Sequence, residues 1–199
     1  MPVTINGNTG VVTGIAVGGL PDGIVDRDTL AAQAKGSILQ VIQSRKTDTQ
    51  STSSATRADI TGLSVTITPS STSNKLWITG MVAIGDEGDN CCNIFIDVNG
   101  SLVGGSNTAN GGALSAQPQD VHTGTGYNYG DDSLPYRIIP VPVDFLYSPN
   151  STSAQTIKLQ MSQTDTTQNV MYVNRSNSDN NAIWVNRQTS SLTVMEVAA

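Results

Sequence analysis

The sequence predicts a mainly β protein. An antiparallel, jelly-roll-like β-sandwich is expected over residues 36–199, preceded by an extended arm over 1–23 and a short helix over 24–35. Three observations lead there. Charged residues make up 13% of the 199-residue chain, while Ser, Thr, Asn and Gln fill 71 positions, so neutral polarity replaces the roughly 25% charge usual in soluble domains. The apolar residues, 37% of the chain, recur with a period of two, which sends alternate side chains to opposite faces of a strand. Turn clusters divide these runs at the spacing of an all-β sandwich, with almost no helical periodicity between them.

The arm alternates short β-prone pieces with glycine, from Val3-Thr4-Ile5-Asn6-Gly7 to Gly18-Gly19-Leu20-Pro21-Asp22-Gly23. It holds too little apolar surface to bury itself, so it gains order only against another copy of the chain or a different protein. Val3, Ile5, Val11, Ile15, Val17 and Leu20 are the side chains expected to make that contact. No Lys or Arg precedes Arg27, and Gly or Asn keeps interrupting the apolar residues, which is not the pattern of a secretory signal.

Residues 24–35 change character. Asp26 can cap a helix, Asp28 falls in its first turn, Lys35 near its end, and Gly36 follows as a stop. Leu30, Ala31 and Ala34 share one face, with Ile24 leading in. So small a face suits close helix–helix contact about a symmetry axis, and equally a helix laid on its own domain; two to three turns are marginal alone.

Strands follow. Ile38, Leu39, Val41 and Ile42 make the first apolar on both faces at its start. Leu63, Val65 and Ile67 alternate with Ser64, Thr66 and Thr68, and Pro69-Ser70-Ser71-Thr72-Ser73-Asn74 is a turn cluster. Leu76, Ile78 and Gly80 then oppose Trp77, Thr79 and Met81. Ile94, Ile96 and Val98 lead into Asn99-Gly100, a hairpin signal. Further strands are expected at Val141–Tyr147, Ile157–Met161, Val170–Val173, Ile183–Val185 and Leu192–Val197. Between Gly104 and Tyr136 the rhythm breaks into a Gly-, Asn-, Asp- and Ser-rich stretch. A stretch this long in a compact domain is usually functional or disordered, and His122, Tyr127 and Tyr129 on it are the candidate receptor-binding residues. The tyrosines suit stacking on a sugar ring and also packing on a neighbouring subunit.

Signals for chemistry are sparse. A net charge of −6 argues against binding nucleic-acid phosphates, which needs a basic footprint. No apolar run is long enough to insert in a membrane. Cys91 and Cys92 are adjacent and are the only cysteines, which suits one facing each side of a strand better than a strained disulfide or a zinc site. Gly85-Asp86-Glu87-Gly88-Asp89-Asn90 is oxygen-rich but has no terminal bidentate glutamate for calcium. Glu87 and Glu196 are the only glutamates, and no carboxylate pair of the glycosidase kind stands out. Gly124-Thr125-Gly126-Tyr127-Asn128-Tyr129-Gly130 lacks the spacing and the strand-to-helix setting of a dinucleotide loop. Sequons at Asn99, Asn150 and Asn174 arise by chance in so Ser- and Thr-rich a chain. No catalytic residue, metal or cofactor is expected.

Several stretches resemble tail-fibre and other virion structural proteins of tailed bacteriophages, notably those of marine and cyanobacterial phages. They are Gly19-Leu20-Pro21-Asp22-Gly23-Ile24-Val25-Asp26-Arg27-Asp28-Thr29-Leu30-Ala31-Ala32, Ile38-Leu39-Gln40-Val41-Ile42-Gln43-Ser44 with Lys46-Thr47-Asp48-Thr49, and Ile60 through Lys75. Tyr147 through Thr156 and the ending Leu192-Thr193-Val194-Met195-Glu196-Val197 continue the pattern in order. The resemblance implies a homotrimeric tail fibre or spike, assembled in the bacterial cytoplasm and resident in the virion. Its arm would dock on a tail, baseplate or capsid protein, Ile24, Leu30, Ala31 and Ala34 would register the trimer, and the β-domain would meet host-surface polysaccharide. A capsid-decorating head fibre or an adaptor without receptor binding shares this architecture. A polysaccharide depolymerase is the enzymatic alternative, with an active site assembled between subunits.

Overall fold

The computed structural model describes residues 4–6, 11–13, 38–86, 91–104, 121–122, 136, 138–163, 170–180, 182–183 and 185–199. They fall in two units, Met1–Ser37 and Ile38–Ala199. In the first, β1 (Thr4–Asn6) pairs antiparallel with β2 (Val11–Thr13), setting Ile5 opposite Val12 and Asn6 opposite Val11. The expected arm therefore turns back on itself over these residues. The helix expected at 24–35 lies outside the described residues, as do Val3, Ile15, Val17 and Leu20.

The second unit is built from antiparallel strands: β3 (Ile38–Lys46), β4 (Gln50–Thr52), β5 (Ala58–Ile67), β6 (Lys75–Asp86), β7 (Cys91–Val98), β8 (Ser101–Val103), β9 (Val121–His122), β10 (Ile139–Tyr147), β11 (Gln155–Gln163), β12 (Met171–Val173) and β13 (Ser190–Val197). They form two sheets. In the larger, β3 pairs β13, β13 pairs β6, and β10 lies on the other side of β6. β12 continues along β6 beyond β13, and β4 pairs β12. In the smaller sheet the order is β5-β11-β7, with β8 and β9 each paired to the far side of β7. Successive long strands change sheet: β3, β6, β10 and β13 belong to the larger, β5, β7 and β11 to the smaller.

Both sheets turn apolar side chains into one core. Leu63, Val65 and Ile67 of β5, Ile94 and Ile96 of β7 and Ile157 and Leu159 of β11 meet Leu76 and Ile78 of β6, Val141 and Val143 of β10 and Leu192 and Val194 of β13. Cys92 is buried in the same cluster. Burial is strictly alternate along β13, the period the sequence carries.

Local chemistry fixes the strand ends. Asn99 and Gly100 both take positive φ, 52° and 86°, and Val98 pairs with Ser101. This is the two-residue hairpin turn that Asn-Gly favours, because it needs left-handed backbone at both central positions. In β5 the alternation slips between Ile60 and Leu63, where Gly62 has φ 87°. The pairing with β11 jumps there from Gln160–Asp59 to Lys158–Ser64, so β5 carries a bulge.

Glutamine side chains tie β3 and β4 of the larger sheet to β5 of the smaller. Gln40 Nε2 donates to the Thr68 carbonyl at 2.8 Å, just past the end of β5. Gln50 Nε2 donates to the Asp59 carbonyl at 3.0 Å and its Oε1 accepts from Thr61 N at 2.8 Å. At the opposite edge, β10 keeps its register with β6 through Pro140–Ala83 and Pro142–Met81. The missing proline N–H groups therefore face the free side of β10 and blunt it against strand addition.

One expected strand is absent. Neither Ile183 nor Val185 lies in a strand; Val185 N donates to the Ala182 carbonyl at 3.0 Å instead. The apolar run is too short, and too closely set among Asn residues, to compete with local turn bonding.

Candidate functional site

The outer face of the larger sheet is the best-developed candidate. Register places Val41 opposite Met195, Met195 opposite Trp77, and Trp77 opposite Leu146, one unbroken apolar row across β3, β13, β6 and β10. The next row, two residues along, runs Gln43, Thr193, Thr79 and Asp144. Gln43 Nε2 donates to Thr193 Oγ1 at 2.8 Å, and Trp77 Nε1 donates to Asp144 Oδ1 at 2.6 Å. That last bond joins the two rows and satisfies the polar edge of the exposed indole.

Two buried polar hubs hold this sheet in place. Glu196 is 1% exposed. Its Oε1 accepts from Ser70 N at 2.6 Å, Ser70 Oγ at 2.8 Å and Asn74 Nδ2 at 2.6 Å, and its Oε2 accepts from Gln40 Nε2 at 2.6 Å. The clamp pins the β5–β6 turn to β13 and β3. Burial pushes the Glu196 carboxyl up, but the hydrogen bonds from Asn74, Gln40 and Ser70 outweigh it and hold the group below the ordinary 4.5. A depressed carboxyl stabilises the fold fully above its unfolded value and ceases to do so as pH falls through the folded one. Unfolding temperature is therefore expected to drop below about pH 4.5 more steeply in the natural chain than in Glu196→Gln, as thermal melts across pH 3–6 would read. Equal slopes in the two would remove Glu196 from the acid response.

The second hub is Asn174, fully buried with φ 65°. Its Nδ2 donates to the carbonyls of Lys46 at 3.0 Å and Asp48 at 2.8 Å, and its Oδ1 accepts from Ser190 Oγ at 2.6 Å. It ties the β3–β4 turn to the start of β13. Lys46 beside it is buried, and its Nζ reaches both Asp48 carboxylate oxygens at 3.0 Å. The Lys46 hydrogen bond holds the Asp48 carboxyl below its ordinary range. Burial of Asn174 also removes its sequon from any glycosylating enzyme.

The sequence-derived candidates fare differently. His122 is in β9 and pairs with Cys91 at the edge of β7, so the Gly-, Asn-, Asp- and Ser-rich stretch contributes a strand. Tyr127 and Tyr129 lie outside the described residues, as do Ile24, Leu30, Ala31 and Ala34. Ile5 and Val11 are in the β1–β2 pair. Sequence reasoning does not reach Asp144, Glu196 and Asn174 as site residues, because their partners are distant in the chain, and it reads Trp77 as a core or sheet-face residue of a strand. The one available signal was the first strand, apolar on both faces at its start.

Among the described residues, no three His, Cys, Asp or Glu gather into a group that could hold a metal ion, and no helix is long and apolar enough to cross a membrane. The chain matches no family model and no curated protein.

Proposed function

We propose that this chain is a non-enzymatic structural protein of a tailed-phage virion. In this reading it forms a homotrimeric fibre or spike, docks through residues 1–23, and presents a jelly-roll-like sandwich for attachment to host-surface glycan. One observation carries the proposal. Gln40, Ser70, Asn74 and Glu196, the four residues of the buried clamp, all fall within the stretches that resemble virion proteins. The sheet-to-sheet alternation of strands supports the jelly-roll part of the reading. A low-charge β-domain repeated about a threefold axis multiplies weak contacts through effective concentration, which suits adhesion.

Deleting residues 1–23 tests the docking role. Particles assembled with the shortened chain are expected to lack it on immunoblots of purified virions, while the β-domain still folds. Particles that retain it in normal amount would show the anchor to be elsewhere. New reducing ends on incubating the protein with host polysaccharide would replace the adhesin by a depolymerase.

A further inference from the structure

The geometry points to the outer face of the larger sheet as the surface through which copies of this chain pack on one another. The inference rests on the assembly reading above and adds to it a location. Of the five exposed large apolar side chains among the described residues, Ile38, Val41, Trp77 and Leu146 belong to this sheet, and only Ile183 lies apart. Val41 is 55% exposed, Trp77 39% and Leu146 57%, yet register aligns them with Met195 in a single row. Solitary surface hydrophobics are ordinary; a continuous row rimmed by polar residues marks an interaction surface. On the smaller sheet, outward positions include Asp59, which accepts from both Lys158 and Gln160, and a Thr66–Thr156 hydroxyl pair, groups suited to water.

Two features select a second copy as the occupant. The chain carries a net charge of −6, so identical copies repel unless they meet where acid is scarce. Along the paired registers of this face, Arg45 and Lys75 outnumber the one acid, Asp144, whose oxygen already accepts from Trp77. Strand addition to the larger sheet is blunted on two sides: Pro140 and Pro142 guard the free side of β10, and glutamine side chains occupy the β3–β5 side. The route this surface favours is packing of copies through the apolar row about a common axis, with Trp77 as the rigid aromatic anchor near its centre.

Light scattering on the full chain carrying Val41→Glu and Leu146→Glu tests the surface. Both positions are exposed in one copy, so circular dichroism is expected to stay that of the natural chain. The natural chain is expected at a multiple of 20.8 kDa, and the double variant to need at least tenfold higher concentration to reach the same mass. Thr66→Glu, on the other sheet, is expected to leave the mass unchanged. A second reading avoids charge insertion: in a Trp184→Phe chain, Trp77 is the only tryptophan, and its emission is expected to shift to the red as the assembly is diluted apart. An assembly indifferent to the double variant, or Trp77 emission identical in assembled and dissociated chains, overturns this interface and leaves assembly standing. A natural chain at 20.8 kDa at every concentration overturns both.

Discussion

Gly80→Ala is expected to cost about 3 kcal/mol or more, the upper range for an overpacked core position. Gly80 sits mid-strand in β6, paired with Leu192 of β13 on one side and Val143 of β10 on the other. A Cβ there would run into the Ser191 carbonyl oxygen and come within 3.1 Å of the Leu192 Cα. Both obstacles are backbone, so no rotamer change relieves the clash; β6 and β13 must part along the centre of the sheet. Gly100 makes the useful contrast. A Cβ on it meets nothing within 4 Å, and only its φ of 86° resists a side chain, a cost of about 1 kcal/mol. Urea unfolding of the two alanine variants separates a steric glycine from a conformational one. Gly80→Ala within error of the natural protein would contradict the close approach of β6 to β13.

Asn174→Leu is the second large effect, expected at about 3 kcal/mol, because each buried partner left unsatisfied costs about 1–3 kcal/mol. Leucine matches the volume but removes both donors to the Lys46 and Asp48 carbonyls and the acceptor for Ser190 Oγ. It also tolerates the left-handed φ of 65° less well than asparagine. Ser190 Oγ itself accepts from Ala83 N at 3.0 Å, so the loss spreads into β6. Ser190→Ala alone is expected to cost less, and the double variant less than the sum of the two, since they share one network. Full additivity in a denaturant cycle would show the hub to be two separate contacts.

How much of this was legible depended on how local each signal was. Alternation in Leu63–Ile67, Val141–Phe145 and Leu192–Val197 placed β5, β10 and β13, because a strand with one buried face writes its period into consecutive residues. Asn99-Gly100 placed the β7–β8 turn for a similarly local reason. β4, reading Gln-Ser-Thr, has no apolar alternation and is a strand only because β12 pairs with it. Glu196 lies 156 positions from Gln40 and 122 from Asn74, and Asp144 lies 67 from Trp77. No local pattern records such pairings. The aligned apolar row was partly visible: Val41 made β3 apolar on both sides, but only the register of four strands turned that oddity into a surface.

The pairing of β3 with β13 brings Ile38 opposite Val197, so the ribbon that opens the sandwich and the one that closes it are neighbours at the same pole. A circular permutant that bridges this pole with a short linker and opens a new start at the Asn99-Gly100 bend would keep every rung of both ladders. By the same geometry, a tag fused after Ala199 would emerge beside the point where residue 38 joins the sandwich.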